Sequence, residues 1–309
     1  MKELYLTIDI GGTFIKYALM DESTEIFKRG KFNSPKDSLD EFKEEMTSLI
    51  DENLSQDLKG IAISCPGTVD VRKGVIYHGG ILTYLHEVNM VEWLNQKYNL
   101  PVSIENDGKA AALAELWMGS AIGCRNVIVL VLGTGVGCGI IIDGKLYRGS
   151  SYSAGEVSFI MTNYDVSKKE GEFFGFKGSA VGMLQEISKL NHLDSDTDGR
   201  TLFEYIKPSN EKSWGLFINF CKSIALQILN LQYILNPEKI VIGGGVSAQP
   251  IVIEHLHLAI NELLSEEKIH NAIPNVEAAH FQNDANLVGA LYHHLEHMKS
   301  DYNSWRNNK

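Results

Sequence analysis

The chain has 309 residues, and 28 Lys and Arg against 39 Asp and Glu leave a formal net charge of -11. That balance argues against a nucleic-acid groove, although a local basic patch could survive it. Hydrophobic residues make up 44%, which provides a sizeable core for two domains or one large α/β unit and argues against disorder.

No apolar run approaches the roughly 20 residues that span a bilayer. The opening "MKELYLTIDIGGT" brings Glu3 and its glycines too early for a secretory leader. Cys65, Cys124, Cys138 and Cys221 are scattered without CxxC or CxC spacing, as suits free thiols in a reducing compartment. A soluble cytoplasmic protein is expected, with no membrane and no nucleic acid among its partners.

A first strand is expected at Glu3–Ile10, closed by a Gly11-Gly12 turn, with a second extended run over Phe14–Met20 completing a hairpin. Leu39–Asn53 has helical spacing, with Leu39, Phe42, Met46, Leu49 and Ile50 on one face. Gly60–Gly67 reads as a buried strand entering a Pro-Gly turn. Val91–Tyr98 is helical, Val102–Glu105 a strand and Lys109–Met118 an alanine-rich helix. After Gly119 the pattern restarts: "NVIVLVLGTGVGCGIIIDGKLYRG" is strand, glycine turn, strand, then a hairpin through Asp143-Gly144. Two halves that each begin with a glycine hairpin suggest a duplicated βββαβα domain. Trp214–Leu235 is a long helix, "KIVIGGGVS" another strand and glycine turn, and Asn286–His297 again helical. The 150–215 stretch is the least patterned, with "KKEGEFFGFKGSAVG" reading as loop and helix start.

Three strands therefore run into glycine turns: Gly11-Gly12-Thr13, Gly133-Thr134-Gly135 and Gly243-Gly244-Gly245. Glycine lets a ligand approach backbone N–H groups closely, and successive N–H groups make anion-binding hollows. Thr13 and Thr134 add hydroxyl donors. A tight hairpin with no ligand is the plainer reading of any one of them. The sequence has no G-x-x-x-x-G-K-[ST], so a P-loop is excluded. The turn in "GTGVGCG" leads into a strand rather than a helix, which removes a dinucleotide fingerprint. Asp9, among apolar neighbours, either caps its own turn or faces a cation, for which Mg²⁺ held through water is the natural candidate. Asp107 stands where a strand meets a helix. It is either an ordinary helix cap or a base that takes a proton from a sugar hydroxyl during phosphoryl transfer. Asn106 beside it offers an amide to a neighbouring hydroxyl.

Taken in order, "IDIGGTFIKYAL", "ISCPGTVD", "LPVSIENDGKAAALAE", "LVLGTGVGCGII", "SAGEVSF" and "NPEKIVIGGGVS" resemble the ROK family of sugar kinases and repressors, over nearly the whole chain. The resemblance implies an actin-like ATPase fold (ribonuclease H-like), with two βββαβα-type domains and ATP and sugar in the cleft between them. The smaller domain would be residues 1–118 with a C-terminal helix at 286–302, and the larger 119–285. It also implies ATP- and Mg²⁺-dependent phosphoryl transfer to a hexose 6-hydroxyl, commonly in a homodimer. Carried over, Asp107 is the catalytic base, while Asn106, Gly67 and Glu156 belong to the sugar site. Asp9 and Gly11–Thr13 form the first phosphate motif, Gly133–Gly135 the second, and Gly243–Gly245 the adenosine-side turn.

Two departures matter. Family members with structural zinc carry a His after "GE" and a later cysteine cluster. Here Phe159 stands in the His position and no cluster follows, so no zinc site is expected. Phe159 either stacks on a bulkier, less polar substituent or fills the metal's space. "YHGGILTYLHEVNM" replaces the stretch typical of glucokinases, and a similar Gly-Gly segment occurs in zinc-less members resembling β-glucoside kinases. That function is therefore expected, with N-acetylmannosamine kinase and glucokinase as alternatives. A repressor needs an N-terminal helix-turn-helix for which the strand at Glu3 leaves no room. A non-catalytic sugar sensor is disfavoured because Asp107 and the glycine turns are present.

Among other candidates, His255 and His257 would point to different sides of a helix, and His293 and His297 read as a solvated helix face. "FFGF" at Phe173–Phe176 reads as core or interface. Glu170 and Glu172 are weaker candidates for sugar contact.

Overall fold

A computed structural model describes residues 2–267 and 272–307 of the protein. The chain divides into two compact units of nearly equal length. Unit 1 takes Met1–Gly119, Leu146–Ala154 and Asp284–Lys309, and unit 2 takes Ser120–Lys145 and Gly155–Asn283. Leu146–Ala154 thus belongs with unit 1, although it lies inside the 119–285 span read from the sequence as the second domain. Within that segment the half-buried Arg148 pairs with the buried Glu105 of the same unit.

Unit 1 opens with β1 (Leu4–Ile10), β2 (Phe14–Met20), β3 (Ile26–Asn33), α1 (Leu39–Asp51) and β4 (Leu58–Cys65). Three short strands follow, β5 (Thr68–Asp70), β6 (Val75–Tyr77) and β7 (Val88–Asn89), then α2 (Met90–Tyr98), β8 (Val102–Asn106) and α3 (Asp107–Met118). The main sheet has the order β3-β2-β1-β4-β8. β1, β2 and β3 pair antiparallel, whereas β1, β4 and β8 run parallel. The parallel strands are nearly continuous apolar runs because both of their faces are covered. The edge strand β3 carries Lys28, Arg29 and Lys31, charges that discourage edge-to-edge pairing. β3 and the small β5-β6-β7 sheet escape the sequence pattern, one for its charges and the others for their brevity.

In α1, Ser38 caps the first turn by accepting from Glu41 N, and Phe42, Met46, Leu49 and Ile50 form the buried stripe. α3 is buried almost all round, and its alanines let α9 (Ala285–Asn307) pack closely against it. α9 also lies on β1, β4 and β8.

Unit 2 repeats the plan. β9 (Val127–Leu132), β10 (Val136–Ile142), β14 (Lys239–Gly243) and β15 (Val276–Ala278) form its sheet, and β11 (Lys145–Tyr147), where the chain leaves the unit, extends the order to β11-β10-β9-β14-β15. β9 and β10 are the antiparallel hairpin, while β9, β14 and β15 are parallel. The 150–215 stretch folds into a β12 (Met161–Asp165) and β13 (Glu170–Phe173) hairpin followed by α4 (Phe174–Lys177), α5 (Ala180–Leu190) and α6 (Gly199–Phe203). α7 (Glu211–Leu235) and α8 (Pro250–Glu267) complete the unit. By length and composition α7 is apolar enough to cross a membrane, although no uninterrupted apolar run gives this away in the sequence. Phe217, Phe220, Ile224, Ile228 and Leu231 on α7 lie in the unit 2 core. Both units therefore join an antiparallel hairpin to parallel strands, the pattern of the two halves of an actin-like ATPase.

Candidate active site

Parallel strands bring their carboxyl ends to one edge of a sheet, where open α/β folds hold ligands. In unit 1 that edge collects the Gly11 turn after β1, Pro66-Gly67 after β4 and Asn106-Asp107 after β8. The register aligns Asp9 with Ser64 and Cys65 with Asn106. Three motifs far apart in the chain are neighbours for that reason.

Asp9 is buried, 5% exposed. Its Oδ1 accepts from Ser64 Oγ and from Asn286 Nδ2, each at 3.0 Å, and Lys16 Nζ stands 3.9 Å from Oδ2. Burial nevertheless raises its pKa above the usual carboxylate value, against the pull of Lys16 and the two donors. The following turn is pinned by Gly11 N donating to Phe14 O at 3.0 Å and by Ser34 Oγ donating to Gly11 O at 2.5 Å. Thr13 is exposed, and Ile81 packs on the bare Cα of Gly12.

Asn106 is the N-cap of α3: its Oδ1 accepts from Lys109 N at 3.1 Å. Its Nδ2 donates to Gly67 O and to Asp107 Oδ1, both at 2.9 Å. Asp107 Oδ1 also accepts from Gly108 N at 2.7 Å. Asp107 is half-buried and is the first residue of α3, so its side chain stands at the positive end of the helix. The cap is thus Asn106, not Asp107. Gly67 has φ +89 and its missing side chain makes room for His78 O. Cys65 lies buried near this edge, and its thiol pKa is pushed well up by burial and then by Asp107, Glu105 and Asp9.

In unit 2 the same topology brings the Gly133 and Gly243 turns to one edge, since β9 and β14 are parallel neighbours. Gly133 N donates to Gly135 O at 3.0 Å, and Gly133 O accepts from Val181 N at 3.2 Å. Thr134 is exposed. Gly244 adopts φ 88 and ψ 166, and a side chain there would run into Leu132 O. At Gly243 and Gly245 a side chain would meet its neighbours only at ordinary van der Waals distance. Glu156 is half-buried at the head of a short helical turn, Val157–Phe159. Phe159 is 73% exposed. Ser158 Oγ bridges Val136 N and O, at 2.9 and 3.0 Å, and so steadies the strand leaving the Gly133 turn.

Sequence reasoning misses several residues. Ser64 and Asn286 hold Asp9, but Asn286 lies 277 positions away and carries no local signal. Glu105 is fully buried in β8 and paired with Arg148. A charge inside an apolar strand was a visible clue. His293 does not lie on a solvated face: its side chain is 11% exposed and stands 4.0 Å from Glu105 Oε2. His255 packs edge-on against Trp214 and Phe217, and His257 Nε2 is 2.9 Å from Val276 O. Phe174 is core and Phe176 82% exposed, while Glu170 and Glu172 are exposed on β13. Among the described residues, no group of three or more His, Cys, Asp or Glu could hold a metal ion.

Comparison with known proteins agrees with this architecture. A sequence model described as the ROK family matches residues 5–296. A β-glucoside kinase of Listeria monocytogenes is 30% identical over 290 residues, covering 93% of this chain and 96% of its own. The crystal structure of a ROK family protein from Streptococcus pneumoniae in complex with sucrose superposes with a TM-score of 0.83 at 29% identity, covering 96% of this chain and 99% of that one. A ROK family glucokinase from Streptomyces griseus in complex with glucose and AMPPNP has a TM-score of 0.79 at 23% identity, covering 93% of this chain and 98% of its own, and so shares the fold. The fold is the actin-like ATPase fold, and the chain belongs to the ROK family.

Proposed function

We propose that the protein is an ATP-dependent sugar kinase that transfers a γ-phosphoryl group to the 6-hydroxyl of a β-glucoside. The observation that carries this reading is the geometry at the head of α3, where Asn106 caps the helix and leaves the adjacent Asp107 carboxylate at its positive end. In this role Asp107 takes the proton of the sugar hydroxyl as the phosphoryl group moves. Gly67, tied to Asn106, supplies backbone to the sugar side, and Glu156 accepts from sugar hydroxyls. Asn106 acts chiefly by holding Gly67 and Asp107, because its amide is already engaged by both.

ATP phosphates lie on the bare backbone of Gly11–Thr13 and Gly133–Gly135, with Gly243–Gly245 on the adenosine side. Asp9 faces Mg²⁺ through water. A buried carboxylate whose pKa is raised has an evident use for a cation that favours its ionised form. The residues present therefore fit Mg-ATP, which supplies the phosphoryl group and its charge neutralisation. The β-glucoside assignment is supported by the named kinases at 30% identity and by Phe159, whose exposed ring suits stacking on a second sugar or aglycone. N-acetylmannosamine and glucose are the competing acceptors, and a homodimer is the expected assembly.

A coupled assay of ADP release with cellobiose, gentiobiose, glucose and N-acetylmannosamine tests the reading. Turnover with the disaccharides at the highest kcat/KM is expected. No sugar-dependent ADP release from any of them would overturn it, as a sensor would show.

A further inference from the structure

We infer that Arg148 and Glu105 are positioning residues that set the direction of the Asp107 carboxylate, a role that rests on the sugar-kinase reading above. Glu105 lies in β8 with no exposed surface, and a carboxylate there is costly unless it is paired and hydrogen-bonded. Arg148 meets it with two donors on one oxygen: Nε at 2.9 Å and Nη2 at 2.5 Å, both to Oε2. The other oxygen, Oε1, accepts from the main-chain N–H of Asn106 at 2.9 Å. Asn106 then passes the constraint on, through Oδ1 to the first turn of α3 and through Nδ2 to Gly67 O and Asp107 Oδ1. Arg148, Glu105, Asn106 and Asp107 form an unbroken hydrogen-bonded line from an arginine to the proposed base.

Two features make the arginine end firm. The segment carrying it is closed by Ala154 N donating to Arg148 O at 3.1 Å, and Tyr152 lies beside the Asp70 carboxylate. On the other side, His293 Nδ1 lies 3.5 Å from Arg148 Nη2. Burial holds the His293 pKa below its usual value, so near neutral pH the ring is uncharged and able to accept from the guanidinium. A pair kept only to stabilise the fold gains little over apolar residues of similar size. Tying one carboxylate oxygen to an arginine fork and the other to the peptide of the catalytic dyad is a geometric device.

The test uses the full chain with Arg148→Lys and Arg148→Met, assayed with cellobiose and ATP beside thermal unfolding. Lysine keeps the charge without the fork, and methionine removes both. Misplacing a reacting group by about 1 Å costs on the order of a hundredfold in rate. Expected are a kcat loss of about tenfold for Arg148→Lys and about a hundredfold for Arg148→Met, with KM for ATP within about twofold of the parent. Removing a cation near carboxylates raises their pKa, so the acidic limb of kcat should move to higher pH in Arg148→Met. Should that variant not fold, Arg148→Lys alone decides. An active parent with Arg148→Lys at parental kcat overturns the positioning role only. A parent with no sugar-dependent turnover overturns the kinase reading and this role with it.

Discussion

Asn106 Nδ2 donates to Asp107 Oδ1 at 2.9 Å while Asn106 Oδ1 caps α3. Two adjacent Asx residues thereby divide two tasks, since either could cap the helix but only the carboxylate can take a proton. The amide closes the helix and holds its neighbour, so the carboxylate is not needed as the cap.

Asp107→Asn should fold normally, because Asn106 retains the cap and an Asn side-chain oxygen can still accept from Gly108 N. As the base is lost, kcat should fall by about 10²–10⁴-fold, with sugar affinity by calorimetry changed little. Near-parental turnover in this variant would show that the proton leaves by another route.

Gly244→Ala addresses the unit 2 edge. A backbone at φ 88 and ψ 166 belongs to a region essentially reserved for glycine, and the new Cβ would meet Leu132 O. A loss of about 3 kcal/mol is expected, on the order of 10 °C in the unfolding midpoint, together with a raised KM for ATP. A midpoint within about 2 °C of the parent would mean that the turn relaxes without cost.

The strands and helices legible in the sequence were those whose apolar pattern is dictated by a covered face. β1, β4, β8 and β9 are buried runs, and α1 has a stripe. The glycine turns and the Asn106-Asp107 pair stood out because strand ends need special backbone. β3, with Lys28, Arg29 and Lys31 on an edge, has no such pattern, and β12, β13 and α4 are too short for one. The sequence leaves Asp107 either a cap or a base, since Asn and Asp are nearly equal caps and only geometry shows that Asn106 takes that place. Pairings across long stretches, Asn286 with Asp9 and Arg148 with Glu105, leave no local trace at all. They are set by which helix and which loop the fold returns to the sheet.

Asp9→Asn should change stability in a pH-dependent way. The Asp9 pKa is raised in the folded protein by burial. Its favourable contribution is therefore present below the ordinary carboxylate value and is lost as pH rises through the folded value. The variant has no such loss and keeps acceptors for Ser64 and Asn286. Without ligand, its unfolding midpoint relative to the parent should climb from pH 4 to pH 8, while Mg-ATP use falls. A difference that stays flat across that range would show that Asp9 is not held against its ionisation.

His294→Gln tests the opposite slope at the packing of α9 on the sheet. His294 is 1% exposed, with Nδ1 2.9 Å from Ser103 Oγ on β8 and its ring edge-on to Tyr5 on β1. Its Nε2 lies against Gly60 without a hydrogen-bond partner. Burial, then the neighbouring His293 and His297, lowers its pKa to about 4. The unfolded chain binds this proton near pH 6.5 and the folded one does not, so the contribution is complete above 6.5 and is lost as pH falls toward 4. The span corresponds to about 3 kcal/mol. Urea unfolding at pH 7, 5.5 and 4.5 should show the parent losing its advantage over His294→Gln by about 2–3 kcal/mol across the series. Parallel curves would mean that the ring is protonated in the folded state, which the contact with Gly60 and the missing acceptor at Nε2 argue against.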